Sequence, residues 1–214
     1  MANIITITTV LGSYSTNCYI VANTDTREAV IIDPAARGDY IIKSCEDQKF
    51  KVVAILLTHG HYDHIGALEQ LRNEYPDAKV YAGVEEEEVL KNPALNLSEL
   101  LFGSAVSTQA DIYVDDAQKL ELLGTTITCL HVPGHTKGGT CYYFEEEKLL
   151  FSGDTLFNFS VGRSDFPTGN EAALLENISS KLLVLPDDVV VYAGHNNRST
   201  IGREKKMNPF FTEF

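Results

Sequence analysis

Four side chains able to bind a metal ion fall within six residues, in the run His59-Gly60-His61-Tyr62-Asp63-His64. In extended chain, residues two apart point the same way, so His59 and His61 can converge on one ion while Asp63 and His64 turn towards a second. Imidazole and carboxylate together suit zinc, with iron or manganese as alternatives, and the lack of thiolate argues against a cysteine-type structural zinc site. One histidine here would read as a polar loop residue at a strand end. Three histidines and an aspartate in six positions read as a metal centre.

The elements around this run would hold it rigidly. Residues 52–57 form an apolar stretch that reads as a buried strand, so the first donors sit where a strand stops. Residues 65–71 carry apolar side chains at helical spacing, which places His64 near a helix N-terminus. The same arrangement recurs. Strand-like runs lead into Gly134-His135-Thr136, Gly153-Asp154-Thr155 and Gly194-His195, and glycines before Asp154 and His195 permit tight turns beside a donor. Only six histidines are present, and five lie in these motifs. The sixth, His131, lies inside a strand-like run and reads as a hydrogen-bonded structural residue.

These four motifs, in this order, resemble the metallo-β-lactamase superfamily across nearly the whole chain. Gly134-His135-Thr136-Lys137-Gly138-Gly139, Gly153-Asp154-Thr155-Leu156-Phe157 and the run from Ser160 to Pro167 are similar to the glyoxalase II (hydroxyacylglutathione hydrolase) branch in its small bacterial form. The resemblance implies an α+β fold, a four-layer αββα sandwich, formed as one domain over residues 1–214. It also implies two divalent ions, one on His59, His61 and His135 and one on Asp63, His64 and His195, with Asp154 bridging them. Asp63 and Asp154 would be the catalytic carboxylates, and the nucleophile a hydroxide held between the ions, since zinc alone lowers the pKa of bound water to about 7. Asp33 would lie beneath the ions as support.

The implied substrate is a small thioester such as S-lactoylglutathione, with Arg163, and less directly Lys137, meeting an anionic group of it. Two departures bear on the thiol carrier. Family tyrosines that help bind the thiol are replaced by Asp165 and Asn197, and the chain ends at Phe214 without the helical C-terminal domain of full-length glyoxalase II. Two other readings share the motifs. One is a persulfide dioxygenase-like enzyme with a single iron on His59, His135 and Asp154; the other is a metal-binding domain without activity. The resemblance disfavours β-lactamase activity.

Composition narrows the partners. With 17 basic and 30 acidic residues the formal charge is −13, a field that repels nucleic acid. No apolar run is long enough to span a membrane, and the first ten residues lack the features of a signal peptide, so a cytoplasmic location is expected. Cys18, Cys45, Cys129 and Cys141 are scattered, which suits buried thiols and not a disulfide framework. The oligomeric state is left open.

Along the chain, strands are expected over 4–9, 18–22, 29–32, 79–82, 119–123, 126–132, 140–144, 149–152 and 189–192, and helices over 39–48, 172–183 and 200–206. The acidic run 85–88 reads as the solvated start of a short helix. Residues 94–111 have no clear period and are expected to form a packed connection whose leucines shape part of the substrate pocket.

Overall fold

The computed structural model of the chain describes residues 2–212. It opens on three antiparallel strands, β1 (Ile4–Leu11), β2 (Thr16–Asn23) and β3 (Glu28–Ile32). Helix α1 (Gly38–Asp47) leads to β4 (Lys51–Leu56), and α2 (Tyr62–Ile65) and α3 (Leu68–Glu74) lead to β5 (Lys79–Gly83), both parallel to β3. After α4 (Glu87–Lys91) and α5 (Ser98–Phe102), β6 (Ile112–Val114) completes a sheet in the order β1-β2-β3-β4-β5-β6. The second sheet begins as a meander of β7 (Lys119–Leu122), β8 (Thr125–His131), β9 (Thr140–Phe144) and β10 (Leu149–Gly153). A small hairpin, β11 (Leu156–Phe157) and β12 (Ser160–Val161), and helix α6 (Glu171–Asn177) follow. β13 (Val190–Ala193) then joins β10 in parallel, with β14 (Ser199–Thr200) at the edge before α7 (Ile201–Met207).

Alternation along the strands separates three cores. All eight residues of β2 are buried, as in a strand covered on both faces. Its Cys18, Ile20 and Ala22 face Ile41 and Cys45 of α1 and Leu68 and Leu71 of α3. Its Tyr19 and Val21 point the other way, into a layer shared with Tyr142, Phe144 and Phe151 of the second sheet. The outer face of that sheet, including Cys141, Leu150 and Val191, packs on Leu174, Ile178, Leu182 and Ile201. The result is the expected α+β, αββα sandwich. Phe151 lies at its centre, with ring centroids 5.2 Å from Tyr19, 5.4 Å from Phe144 and 5.0 Å from Tyr192. Phe151→Ala is expected to cost about 3–5 kcal/mol, measured as a lower urea midpoint with an unchanged m-value.

Two helices differ from expectation. The segment after His59 starts its helix earlier, at Tyr62, and splits at Gly66 and Ala67. The Ala67 amide donates to the Pro34 carbonyl at 2.9 Å instead of continuing the helical ladder, and a Cβ on Gly66 would lie 2.5 Å from the Ala35 carbonyl oxygen. The helix expected over 172–183 is α6 followed by one wider turn at Ile178–Leu182, closed by the Leu183 amide on the Ile178 carbonyl. All four cysteines are free and buried. Among the described residues no helix is long and apolar enough to cross a membrane.

Candidate metal centre

The seven donors meet at one edge of the sandwich because each follows the end of a strand. His59 and His61 lie beyond β4, Asp63 and His64 on α2 directly after, His135 beyond β8, Asp154 one residue past β10 and His195 beyond β13. Three triplets have candidate donor atoms within 4.8 Å of one another, His59/His61/His135, Asp63/His64/His195 and Asp33/His59/His64; in the third, Asp33 is already hydrogen-bonded to His64 and Thr58, which leaves the first two as the candidates for holding ions. Asp154 reaches both: Oδ1 is 3.4 Å from His64 Nε2, while Oδ2 is 3.4 Å from His195 Nε2 and 3.7 Å from His135 Nε2. The turn that presents it needs glycine. Gly153 has φ +50, and a Cβ there would lie 2.2 Å from Thr58 Oγ1; a Cβ on Gly194 would lie 2.2 Å from Asp154 Oδ1.

Outer hydrogen bonds fix the rings. His64 Nδ1 lies 2.9 Å from Asp33 Oδ2, His135 Nδ1 lies 2.7 Å from the Arg163 carbonyl, and His59 Nδ1 lies 3.1 Å from Thr58 Oγ1, whose own proton goes to Asp33 at 2.6 Å. For His59 and His135 a proton on Nδ1 points outward and turns Nε2 to the centre, where His135 Nε2 lies 2.9 Å from His61 Nδ1; His64 donates its Nδ1 proton to Asp33 and turns Nε2 towards Asp63 and Asp154. Thr16 Oγ1 donates to Asp63 at 2.9 Å. Buried polar atoms that lack any hydrogen-bond partner include His59 Nε2, His61 Nε2, His64 Nε2 and Asp154 Oδ1. Leaving such atoms unsatisfied costs about 1–3 kcal/mol each. Nitrogen and carboxylate groups that converge without hydrogen-bond partners of their own are a donor set that fits divalent cations.

The two triplets differ in charge. Burial drives the pKa of His59, His61 and His135 down, well below the ordinary imidazole range for the first two. Burial acts the same way on His64 and His195, but carboxylates outweigh it. Asp63, Asp154 and Asp33 hold His64 well above its ordinary value, and Asp154 and Asp63 raise His195 to about 9. Conversely, burial alone would raise Asp63 and Asp154; His64 and His195 overcome it, taking Asp63 down to about 2 and Asp154 well below its usual range.

The centre floors a cleft of about 610 Å³ whose walls include Tyr14, Leu97, Leu101, Phe157, Val161 and Phe166. Part of the illegible segment 94–111 thus forms a wall. Buried Asn96 anchors it, donating to the Val106 carbonyl at 2.8 Å and accepting from the Tyr62 amide through its own carbonyl at 2.8 Å. Leu97, at φ +64, is turned into the cleft beside it. Arg163 also lines the cleft, stacked 3.7 Å over the Phe166 ring and paired with Asp165 by two contacts of 2.7 Å. Lys137 does not reach the cleft: it pairs with Glu88 on the surface, because the backbone beside His135 turns its side chain outward.

The acidic run 85–88 was expected to be solvated, yet Glu86 is completely buried, accepting from the Gly60 amide at 2.8 Å and from Thr136 Oγ1 at 2.9 Å. Asp33, expected as support, lies beneath His64 with φ +51.

A model of the metallo-beta-lactamase superfamily matches residues 11–195. The chain is 35% identical over 204 residues to "Hydroxyacylglutathione hydrolase GloC" of Haemophilus influenzae, covering 92% of this chain and 93% of that one. Among solved structures it is similar to BLEG-1, a B3 metallo-beta-lactamase (38% identity, TM-score 0.93, 98% of this chain and 100% of that one). It is also similar to TTHA1623 in a di-iron-bound form (31% identity, TM-score 0.84, 95% and 99% covered).

Proposed function

The chain belongs to the metallo-beta-lactamase superfamily, and on that premise we propose that it is a two-metal hydrolase of small thioesters, S-lactoylglutathione being the reference substrate. The observation that carries this is the pair of triplets joined by Asp154 at the floor of a largely apolar cleft. His59, His61 and His135 would hold one divalent ion and Asp63, His64 and His195 the other; zinc is the proposed metal, and the di-iron form of TTHA1623 makes iron the alternative. When bound, such ions polarise a carbonyl oxygen and acidify water.

The rest of the site suits a good leaving group. No cysteine serves as nucleophile, since burial pushes the thiols of Cys129 and Cys141 up to about 12 and that of Cys45 to about 11. Beyond the donors, the titratable groups lining the cleft are Tyr14 and Arg163. Among the described residues, no carboxylic acid beyond the donors lines the cleft to protonate a departing amine, whereas a thiolate leaves without one. The apolar walls would seat the acyl chain and thiol carrier and exclude water from them. Arg163, the one Lys or Arg side chain lining the cleft among the described residues, is the proposed contact for an anion on the substrate. Arg163→Ala is expected to raise KM for S-lactoylglutathione about fivefold at most, the scale of an exposed ion pair, with kcat unchanged.

The test is hydrolysis of S-lactoylglutathione by metal-loaded protein, followed at the thioester absorbance with and without chelator. Chelator-sensitive turnover supports the reading, and inactivity of a fully metallated sample overturns it. The likeness to BLEG-1 favours a second reading, β-lactam hydrolysis at the same centre, which nitrocefin turnover would reveal. One iron per chain with persulfide-dependent oxygen uptake would instead support the dioxygenase-like reading.

A further inference from the structure

Glu86 has no role in the chemistry above, yet it is a carboxylate with no exposed surface and, among the described residues, no cation bonded to it. The nearest candidate, Lys137, is paired with Glu88 outside. Burying a charge in this way is costly unless hydrogen bonds compensate. Burial pushes the Glu86 carboxyl up to about 7, against the pull of hydrogen bonds from the Gly60 amide, the Thr136 hydroxyl and the Gly138 amide.

Those three donors lie on two loops. Gly60 sits between His59 and His61, and Thr136 follows His135. One side chain therefore ties together the two loops that carry the whole nitrogen triplet. Close approach is built in: a Cβ on Gly138 would lie 2.1 Å from the Glu86 amide nitrogen and 2.6 Å from Oε2, and one on Gly83 would lie 2.4 Å from the Gly138 carbonyl oxygen. The other triplet is held differently. Asp63 is bonded by Thr16 and His64 by Asp33, while the Asn17 amide donates to the Gly194 carbonyl beside His195 at 2.7 Å. Asp33 also reaches the first loop through Thr58, but Glu86 touches nothing of the second set.

We propose that Glu86 is a positioning residue for the His59/His61/His135 half of the centre, fixing the distance between its two loops and so the affinity of that half alone. The proposal rests on the two-metal reading. Partners of this kind typically change metal affinity by about 10–100-fold when removed.

The test is cobalt(II) titration of the metal-free full-length protein, followed by d–d absorption, with chelator competition to give a dissociation constant for each ion. In Glu86→Gln one amide hydrogen must face a donor, so one of two constants should rise about 10–100-fold and the other stay unchanged. Thr136→Val, which deletes one of the three bonds without altering charge, should move the same constant by less. The remaining tight ion should have the spectrum of the ion retained in His61→Ala, where a donor of the same triplet is missing. If Glu86→Gln does not fold, Thr136→Val decides alone. Equal weakening of both ions, or two unchanged constants, overturns the positioning role while leaving the two-metal reading in place. A wild-type chain that takes up no cobalt overturns both.

Discussion

Asp154→Ala is expected to reduce the bound metal below two ions per chain and, through that loss of electrophilic stabilisation, to lower turnover by on the order of 10²–10³-fold, the scale seen when an oxyanion-stabilising group is removed. The geometry gives the reason. Among the described residues Asp154 is the one carboxylate within 3.4–3.7 Å of imidazole nitrogens from both triplets, and its Oδ1 is buried without a hydrogen bond. It stands past the end of β10, outside the three cores, so the sandwich should persist. Elemental analysis and near-ultraviolet circular dichroism separate metal loss from unfolding. A variant that keeps both ions and wild-type turnover would remove Asp154 from the bridging position.

What could be read from the sequence depended on the range over which it is determined. The run from His59 to His64 announces itself because donor spacing and the preceding apolar strand are local. His135, Asp154 and His195 repeat the same device. The layering came from the resemblance carried by the four motifs in order, while the apolar runs over 18–22, 29–32 and 52–57 gave the individual strands that fill it. Glu86 was not legible. In a run of four glutamates nothing local distinguishes the one that turns inward, and its burial is decided by Gly60 and Thr136, 26 and 50 residues away. Lys137 failed for the converse reason: adjacency to His135 in sequence says nothing about which way the side chain leaves the loop. The break between α2 and α3 depends on the Pro34 carbonyl, and the cleft wall at Leu97 on the anchoring of Asn96, neither of which has a periodic signature.

The Arg163–Asp165 pair bears on substrate choice in the same long-range way. An exposed ion pair is weakened by solvent screening, so a substrate anion could compete for the guanidinium, but only against a carboxylate already there. The aromatic face of Phe166 would keep Arg163 against the cleft wall during such an exchange. On the proposed thioester reading, anionic substrates would be accommodated without being strongly selected, and the apolar walls would carry more of the discrimination.

The second large effect expected is a difference between the two ions in how their uptake depends on pH. In the metal-free protein His64 and His195 have raised pKa values, His195 at about 9, so at pH 7 both carry protons shared with Asp63 and Asp154. A cation entering that triplet must displace them. With two protons released, its affinity should fall by about 100-fold for each unit that pH drops below the His195 value, twice the tenfold factor of one proton. His59, His61 and His135 are pushed the other way by burial and are already proton-free at neutral pH, so uptake there should be nearly flat. Stability has the matching sign. A histidine raised from 6.5 to about 9 on folding stabilises the metal-free protein fully below pH 6.5, and that contribution is lost as pH rises through 9. Calorimetric titration in buffers of different ionisation enthalpy counts the protons directly. About two released with one ion and none with the other is the expected outcome; equal release from both ions would show that the charge asymmetry does not govern loading.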